Sequence, residues 1–415
     1  MEFGIQREMS FDVFVLGGGT AGVFAAISAA RMGAKTVLVE KNSRLGGTIT
    51  NAGVNYPGLF FAWGERIIGG PCWEAIERAV ALDGAVIPEI SYKPAHHWEE
   101  QILLDKLVYT KVLNDMCREA GVTVMTNAML SAAREERDGL SLLITDKAGL
   151  LSIKVKTAVD ASGDATLAAM LSYATVRNET QQPATLDNHL AGYSMDAVDM
   201  EDLKAKWAAC PLSARVPLER ILYYLELQKI NSHVTSVAAD LPDGRAAVEE
   251  RAVEELFMHI QTLRTVRGLE DLRVDRLADE TGVRETVRIV GEYTVTAEEY
   301  VRAEKYEDAI CNAFYPVDLH VERGIEQVFH ADGLVPTVPY RALIPKGANR
   351  LLVAGRCISS DTYANSALRV QAPCMAMGQA AGVAAALAAK EAKSVRSLPI
   401  QDIRDGLAKI GAILP

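Results

Sequence analysis

At 415 residues the chain is too long for one simple core, which predicts two domains. Hydrophobic content of 49% and charged content of 23% are those of an ordinary globular enzyme, and a formal charge of −11 argues against nucleic acid or anionic membrane surfaces as partners. The 6 cysteines stand singly without a CxxC pair, which fits reduced thiols better than a disulfide framework or a zinc site. The first residues lack the basic start and long apolar region of a signal peptide, and no run of about 18 uninterrupted apolar residues suggests a span. A cytoplasmic location is expected.

The strongest pattern lies in residues 11–40. An apolar run at 13–16 has the length and branching of a buried parallel strand. Gly17, Gly19 and Gly22 then make GxGxxG, with Thr20 and Ala21 inside it, at the step to an Ala-rich helix predicted over 21–32 and stopped by Gly33. In that setting the first glycine allows a tight turn, the second lets backbone approach a pyrophosphate, and the third lets helix and strand pack closely. The helix start offers free N–H groups to the phosphates. A second strand at 36–39 delivers Glu40, the acid expected on a ribose hydroxyl, followed by Lys41. Strand, glycine turn, helix, strand and acid in this order predict dinucleotide binding.

Gly46 and Gly47, just before Thr48, mark a second close approach of backbone. A short helix is predicted near 73–81. His96 and His97 are adjacent and point apart, which suits the surface or a helix start better than chelation, and no metal site is expected. A helix over 99–120 stops at Gly121, and a strand follows at 122–126. Residues 130–157 read as a β-meander with strands at 140–145 and 150–155. Val159 then leads into DASGDA at 160–165 and an apolar helix from Thr166. Residues 177–193 look polar and loop-like, whereas 245–267 read as a charged amphipathic helix laced by Glu and Arg. Near the end, NRLLVAG at 349–355 is a buried strand ending in glycine. Arg356, Cys357 and a polar loop at 359–366 precede a long helix over 367–389, with Pro373 tolerated near its first turn. The tail at 400–413 is a short amphipathic helix.

Together these motifs resemble flavoproteins of the glutathione-reductase-like FAD fold, and in particular a broad family of bacterial FAD-dependent oxidoreductases. The resemblance is carried by GGGTAG at 17–22, EKNSRLGG at 40–47, QPATL at 182–186 and GVRETVRIVGEY at 282–293. PYRALIPKG at 339–347, LLVAGRCIS at 351–359 and RVQAPCMAMGQAAG at 369–382 extend it over about residues 11–414. More distantly the chain is similar to the flavoprotein subunits of succinate dehydrogenase and fumarate reductase.

The resemblance implies an α/β fold, with a Rossmann-like FAD-binding domain from 1–50, 98–175 and 331–395. It also implies an inserted α+β substrate domain from 51–97 and 176–330, and a helical tail at 396–415. Adenine would be received near Ala128 and Met129. Ala161, Ser162, Gly163 and Asp164 would lie on the phosphate or ribityl side. Gly355, Arg356, Val370 and Gln371 would lie at the flavin end, where a helix N-terminus favours the charge of reduced flavin. The relatives place a ribityl-binding acid where Arg356 stands, so that contact does not carry over. No histidine for covalent attachment is evident in TITNAG at 48–53, which implies noncovalent FAD.

Flavin chemistry needs a substrate carbon placed over the ring, a group to move a proton, and cations where the substrate is an acid. The candidates are Arg369, His189, Arg284, Arg288, Tyr340 and Arg341, with Arg369 foremost because it precedes the flavin-facing helix. A structural ion pair is the alternative for each arginine, and a satisfied loop position for His189. His320 and His330 share that alternative, with Asp318 near enough in sequence to orient His320. Cys357, a singleton after a core strand, reads as inert. The expected function is hydride transfer between a small organic substrate and FAD, with a separate electron acceptor or donor; an oligomer is compatible with it. A flavin monooxygenase or halogenase, or an electron-relay subunit, stays open. The lack of a cysteine cluster for iron–sulfur binding weakens the relay, and no second GxGxxG of similar quality supplies a built-in NAD(P)H domain.

Overall fold

The computed structural model describes residues 7–92, 101–235, 238–321 and 324–415. His96 and His97 lie outside the described residues, as do 99 and 100 of the predicted helix.

Arg7–Leu16 runs parallel to Thr36–Val39, with helix Gly22–Arg31 between them in sequence. Val13, Phe14 and Val15 are fully buried, which is why this strand is apolar on both faces. Residues 129–160 form more than a meander. Gly149–Asp160 is one long strand, antiparallel to Gly139–Asp146 over its first half and parallel to Arg7–Leu16 along most of its length. Beyond Val155 the neighbour changes, and Leu351–Val353 lies parallel to residues 158–160. The outcome is a 7-stranded mixed sheet whose parallel strands bring Leu16, Val39, Asp160 and Val353 to one edge. This is the Rossmann-like α/β core.

Helix Gln371–Glu391 crosses Gly22–Arg31 at very short range. A Cβ at Gly378 or Gly382 would stand 2.1 Å from the carbonyl oxygen of Ala21 or Ala25, so the small residues of both helices exist to let two backbones meet. The helix is long and apolar enough to cross a membrane, yet 94% of its apolar window is buried inside the protein. It starts later than expected. Asp361 accepts from the Ala364 N–H and caps a separate helix, Thr362–Leu368, inside the stretch read as a polar loop. Arg369 and Val370 then form the break before Gln371. The helix predicted over 99–120 likewise begins at Lys106, capped by Asp105.

A second hydrophobic cluster occupies residues 184–283. Its antiparallel sheet has Ala184–Ala191 in the centre, flanked by Lys229–Val234 and Arg273–Arg276. Helices Leu218–Glu226 and Pro242–Leu263 cover that sheet, with Met200–Ala208 packed on both. The central strand corrects the loop expectation for 177–193. Ala184, Leu186 and Leu190 turn inward with Asn188, whose amide is satisfied by the Leu186 carbonyl and the Ala278 N–H. Phe60, Phe61 and Trp73, and also Val287, Ile289 and Ile310, were expected with the substrate-covering part; they pack in the main core instead.

Candidate active site

The site starts at the carboxyl edge of the parallel strands. Gly17, Gly19, Thr20, Ala21, Glu40 and Lys41 wall a cleft of about 830 Å³. Gly22 stands behind it: a Cβ there would lie 1.8 Å from the Gly17 carbonyl oxygen, so glycine alone lets the helix start against its own turn. The Gly18 N–H donates to Glu40 Oε2 at 2.6 Å, and the Asn42 N–H donates to Oε1 at 2.7 Å. Burial pushes the Glu40 carboxyl up, against the pull of those two bonds. Gly46 lies behind the wall, donating to the Gly18 carbonyl, while Gly47 and Thr48 line the cleft.

Asp160 is fully buried and ties the next turn together. It accepts from the Ser162 N–H, the Ser162 hydroxyl and the Ala168 N–H. Ala161, Ser162, Gly163 and Asp164 are thereby presented along the cleft, opposite Gly355 and Arg356. Arg356 donates to Asp164 Oδ1 at 2.6 Å, to the Gly163 carbonyl and to the Val283 carbonyl. Burial opposes the charge of Asp164, yet the Arg356 guanidinium holds its carboxyl below the usual range. Arg356 therefore joins the main core to the second cluster across the cleft. At the far end Gln371 donates to Thr48 Oγ1 and to the Val54 carbonyl, while its buried Oε1 has no partner among the described residues. A turn rich in N–H groups, a buried carboxylate at a strand end and an unpartnered amide oxygen suit a dinucleotide.

The cleft also recruits residues that the sequence did not single out. Arg245, at the start of helix Pro242–Leu263, lines it with Glu280 and Thr281, donating to the Thr281 carbonyl and pairing with Glu249. Asn42 and Lys41 reach Glu280 from the other side, at 3.5 and 3.9 Å. These groups are far apart in the chain, and no local spacing announces them.

A second cavity of about 950 Å³ shares Thr48, Val283, Arg356, Arg369 and Gln371 with the cleft. Arg284, Val370, Asp318 and His320 wall it further. His320 Nε2 meets Asp318 Oδ2 at 3.1 Å, and Gln327 donates to Asp318 Oδ1. Burial drives His320 down to about 4, assisted by the Arg284 and Arg369 charges and opposed by Asp318. Burial raises Asp318, but its bonds to His320 and Gln327 and the Arg369 charge bring it to about 2. At neutral pH the pair is thus a neutral imidazole held by a carboxylate.

Other candidates are placed elsewhere. His189 lies on the central strand of the second cluster, between Lys229 and Arg276, and borders neither cavity. Burial lowers it, with Lys229 and Lys106 adding to the effect. Arg288 is buried in a pair with Glu285 at 2.7 Å and donates to the Ser360 carbonyl. Tyr340 buries its ring and donates its hydroxyl to the Val395 carbonyl. Arg341 pairs with Asp308 and lies over the Tyr293 ring. None of these four borders either cavity. Met129 is 60% exposed and outside the cleft, although the neighbouring Ala128 N–H donates to the Glu40 carbonyl. Cys357 is fully buried, and burial pushes its thiol far up, away from thiolate chemistry.

A family profile described as FAD dependent oxidoreductase matches residues 12–407. The chain belongs to this family. It is thus an FAD-dependent oxidoreductase, and FAD is its cofactor. This oxidoreductase is also 60% identical over 42 residues to a mitochondrial dihydrolipoyl dehydrogenase of Caenorhabditis elegans, covering 10% of this chain and 8% of that protein. The match to the Bos taurus enzyme of that name is 60% over 48 residues, covering 12% and 9%. The chain therefore aligns with less than a tenth of the length of these curated relatives. Among solved structures, a geranylgeranyl bacteriochlorophyll reductase-like protein of Thermoplasma acidophilum is 15% identical, with 97% of this chain and 83% of that one covered and a TM-score of 0.44. An anhydrotetracycline hydroxylase of Streptomyces rimosus is 12% identical, with 97% and 66% covered and a TM-score of 0.45.

Proposed function

We propose that this oxidoreductase transfers a hydride between a small organic substrate in the second cavity and noncovalent FAD in the glycine-walled cleft. The supporting observation is that the two spaces share Thr48, Arg369 and Gln371 in their walls. In this reading the turn at 17–22 takes the pyrophosphate, Glu40 takes the adenosine ribose, and the start of helix Gln371–Glu391 lies at the flavin end. Bound FAD supplies a two-electron acceptor or donor at its ring.

The chain's own residues supply the proton transfer. Ionised Asp318 can only accept, so Nε2 of His320 carries the hydrogen of their bond and Nδ1 keeps its lone pair. His320 Nδ1 takes the proton from a substrate hydroxyl or amine as the hydride leaves carbon, and returns it in the reverse direction. The substrate loses two electrons and two hydrogens in all, and a separate acceptor takes the electron pair onward. Mixing the FAD-loaded enzyme without oxygen with a panel of alcohols, hydroxy acids and amines tests this. The photoreduced enzyme is mixed in parallel with unsaturated acids. At least one compound should bleach or restore the flavin colour. A strict need for oxygen in every reaction would favour monooxygenase- or halogenase-like chemistry instead.

A further inference from the structure

Among the described residues, the second cavity carries a charge that its own walls do not balance. Arg284 Nη1 donates to the Pro183 carbonyl at 2.7 Å and to Thr185 Oγ1 at 2.6 Å, both uncharged acceptors. Among the described residues it has no carboxylate within ion-pair distance. Thr185 Oγ1 also meets His233 Nδ1 at 2.9 Å, which ties the guanidinium's partner in place at the cavity wall. Arg369 donates through Nη2 to Gln182 Oε1 and the Asp318 carbonyl, and its buried Nε has no hydrogen-bond partner. Among the described residues the nearest carboxylate oxygen, Asp318 Oδ2, is 3.9 Å away and already holds His320. The remaining guanidinium of the cavity, Arg356, is matched by Asp164.

Among the described residues, two guanidiniums therefore face the single negative charge of Asp318, and His320 adds none while neutral. A partly buried cation without a counter-charge is costly unless a ligand supplies one. The strain is visible in Arg284, which burial and then the Arg369 charge bring down to about 9. A phosphate dianion would overshoot the single unmatched charge and press against Asp318. A monoanion balances it, and the planar guanidinium fork matches a carboxylate.

We infer that the substrate of this cavity is a monocarboxylate, its carboxylate held by Arg284 and Arg369. This rests on the reading of the second cavity as the substrate site and adds the chemical class of the compound.

Calorimetry on the oxidised, FAD-loaded protein tests it, and crotonate and benzoate, which have no hydroxyl or amine to oxidise, report binding without turnover. The probes are glycolate, lactate, crotonate and benzoate, each against its amide, with inorganic phosphate as a further arm. At least one acid should bind, with its amide weaker by about tenfold or more, as expected for the loss of a desolvated charge pair. Arg284→Gln and Arg369→Gln should remove that preference, Arg284→Gln with flavin content at the wild-type level, and Arg284→Lys should restore part of it. The inference fails if no acid binds, if amides or phosphate bind as tightly, or if both Gln variants keep the preference. Acids that bind in this way but never exchange electrons with the flavin would leave the inference standing and overturn the hydride reading.

Discussion

Glu40 accepts two backbone N–H groups, yet each of its oxygens keeps a lone pair for a further donor. A ribose hydroxyl meeting such a carboxylate gains a charge-assisted bond of roughly 1.5–3 kcal/mol. Glu40→Ala removes that acceptor and frees the Gly18 N–H from its tether. FAD affinity, measured by fluorescence titration of the apoprotein, should fall by about tenfold or more, while the far-ultraviolet circular dichroism stays unchanged. Unaltered affinity would make Glu40 a strand-end residue whose only task is to hold the glycine turn. Tyr340 and Arg341 show the opposite case. Their residue types invite chemistry, but their partners are Val395 and Asp308, each more than 30 positions away. Long-range pairing of this kind has no local signature, so residue type alone does not place them. Asp318 and His320 are paired in the sequence by their closeness alone, and the strand Val317–Val321 sets both side chains on one face.

Elements were legible where one period ran through them unbroken. Thr36–Val39 and Gly22–Arg31 follow from apolar runs bounded by glycine. The strand Ala184–Ala191 was hidden because Asn188 occupies an inward position and breaks the apolar alternation. The early break at Arg369 and Val370 was hidden too, since the sequence stays rich in helix formers across it, and Asp361 as a cap was the missed cue. The crossing of Gln371–Glu391 over Gly22–Arg31 gives a prediction at this scale. Gly378→Ala puts a Cβ 2.1 Å from the Ala21 carbonyl oxygen, a backbone atom that moves only with its helix. Urea unfolding should show a loss of about 1–3 kcal/mol, the usual cost of overpacking, whereas the exposed change Lys390→Ala should be nearly neutral. Equal stability of both variants would mean that the helices are free to part.

For the whole molecule, burial of histidines links stability to pH. His233, His259 and His320 are held at about 3, 4 and 4 against an ordinary 6.5, by burial first and then by neighbours such as Arg284 and Arg215. His259 is the extreme case, fully buried and stacked on Trp207 with both ring nitrogens unpartnered among the described residues. Below about pH 6.5 the unfolded chain binds protons that the native protein refuses, so stability falls as pH drops through the window down to about 4. Each such group contributes roughly 1.4 kcal/mol per pH unit there, and none of the three contributes a slope above it. Urea midpoints should therefore hold steady from about pH 8 to about pH 7 and drop sharply by about pH 5. A flat profile across that range would show that these rings gain water or partners in solution.

The two cavities matter only if the flavin ring lies where they join, and a crystal structure of the FAD-loaded protein tests that most directly. The account predicts adenosine at Glu40 and the isoalloxazine beside Thr48, Arg369 and Gln371, with Arg284 and His320 facing it across the second cavity. A ring placed at the Glu40 end, or one walled off from Arg284 and His320 by protein, would contradict it.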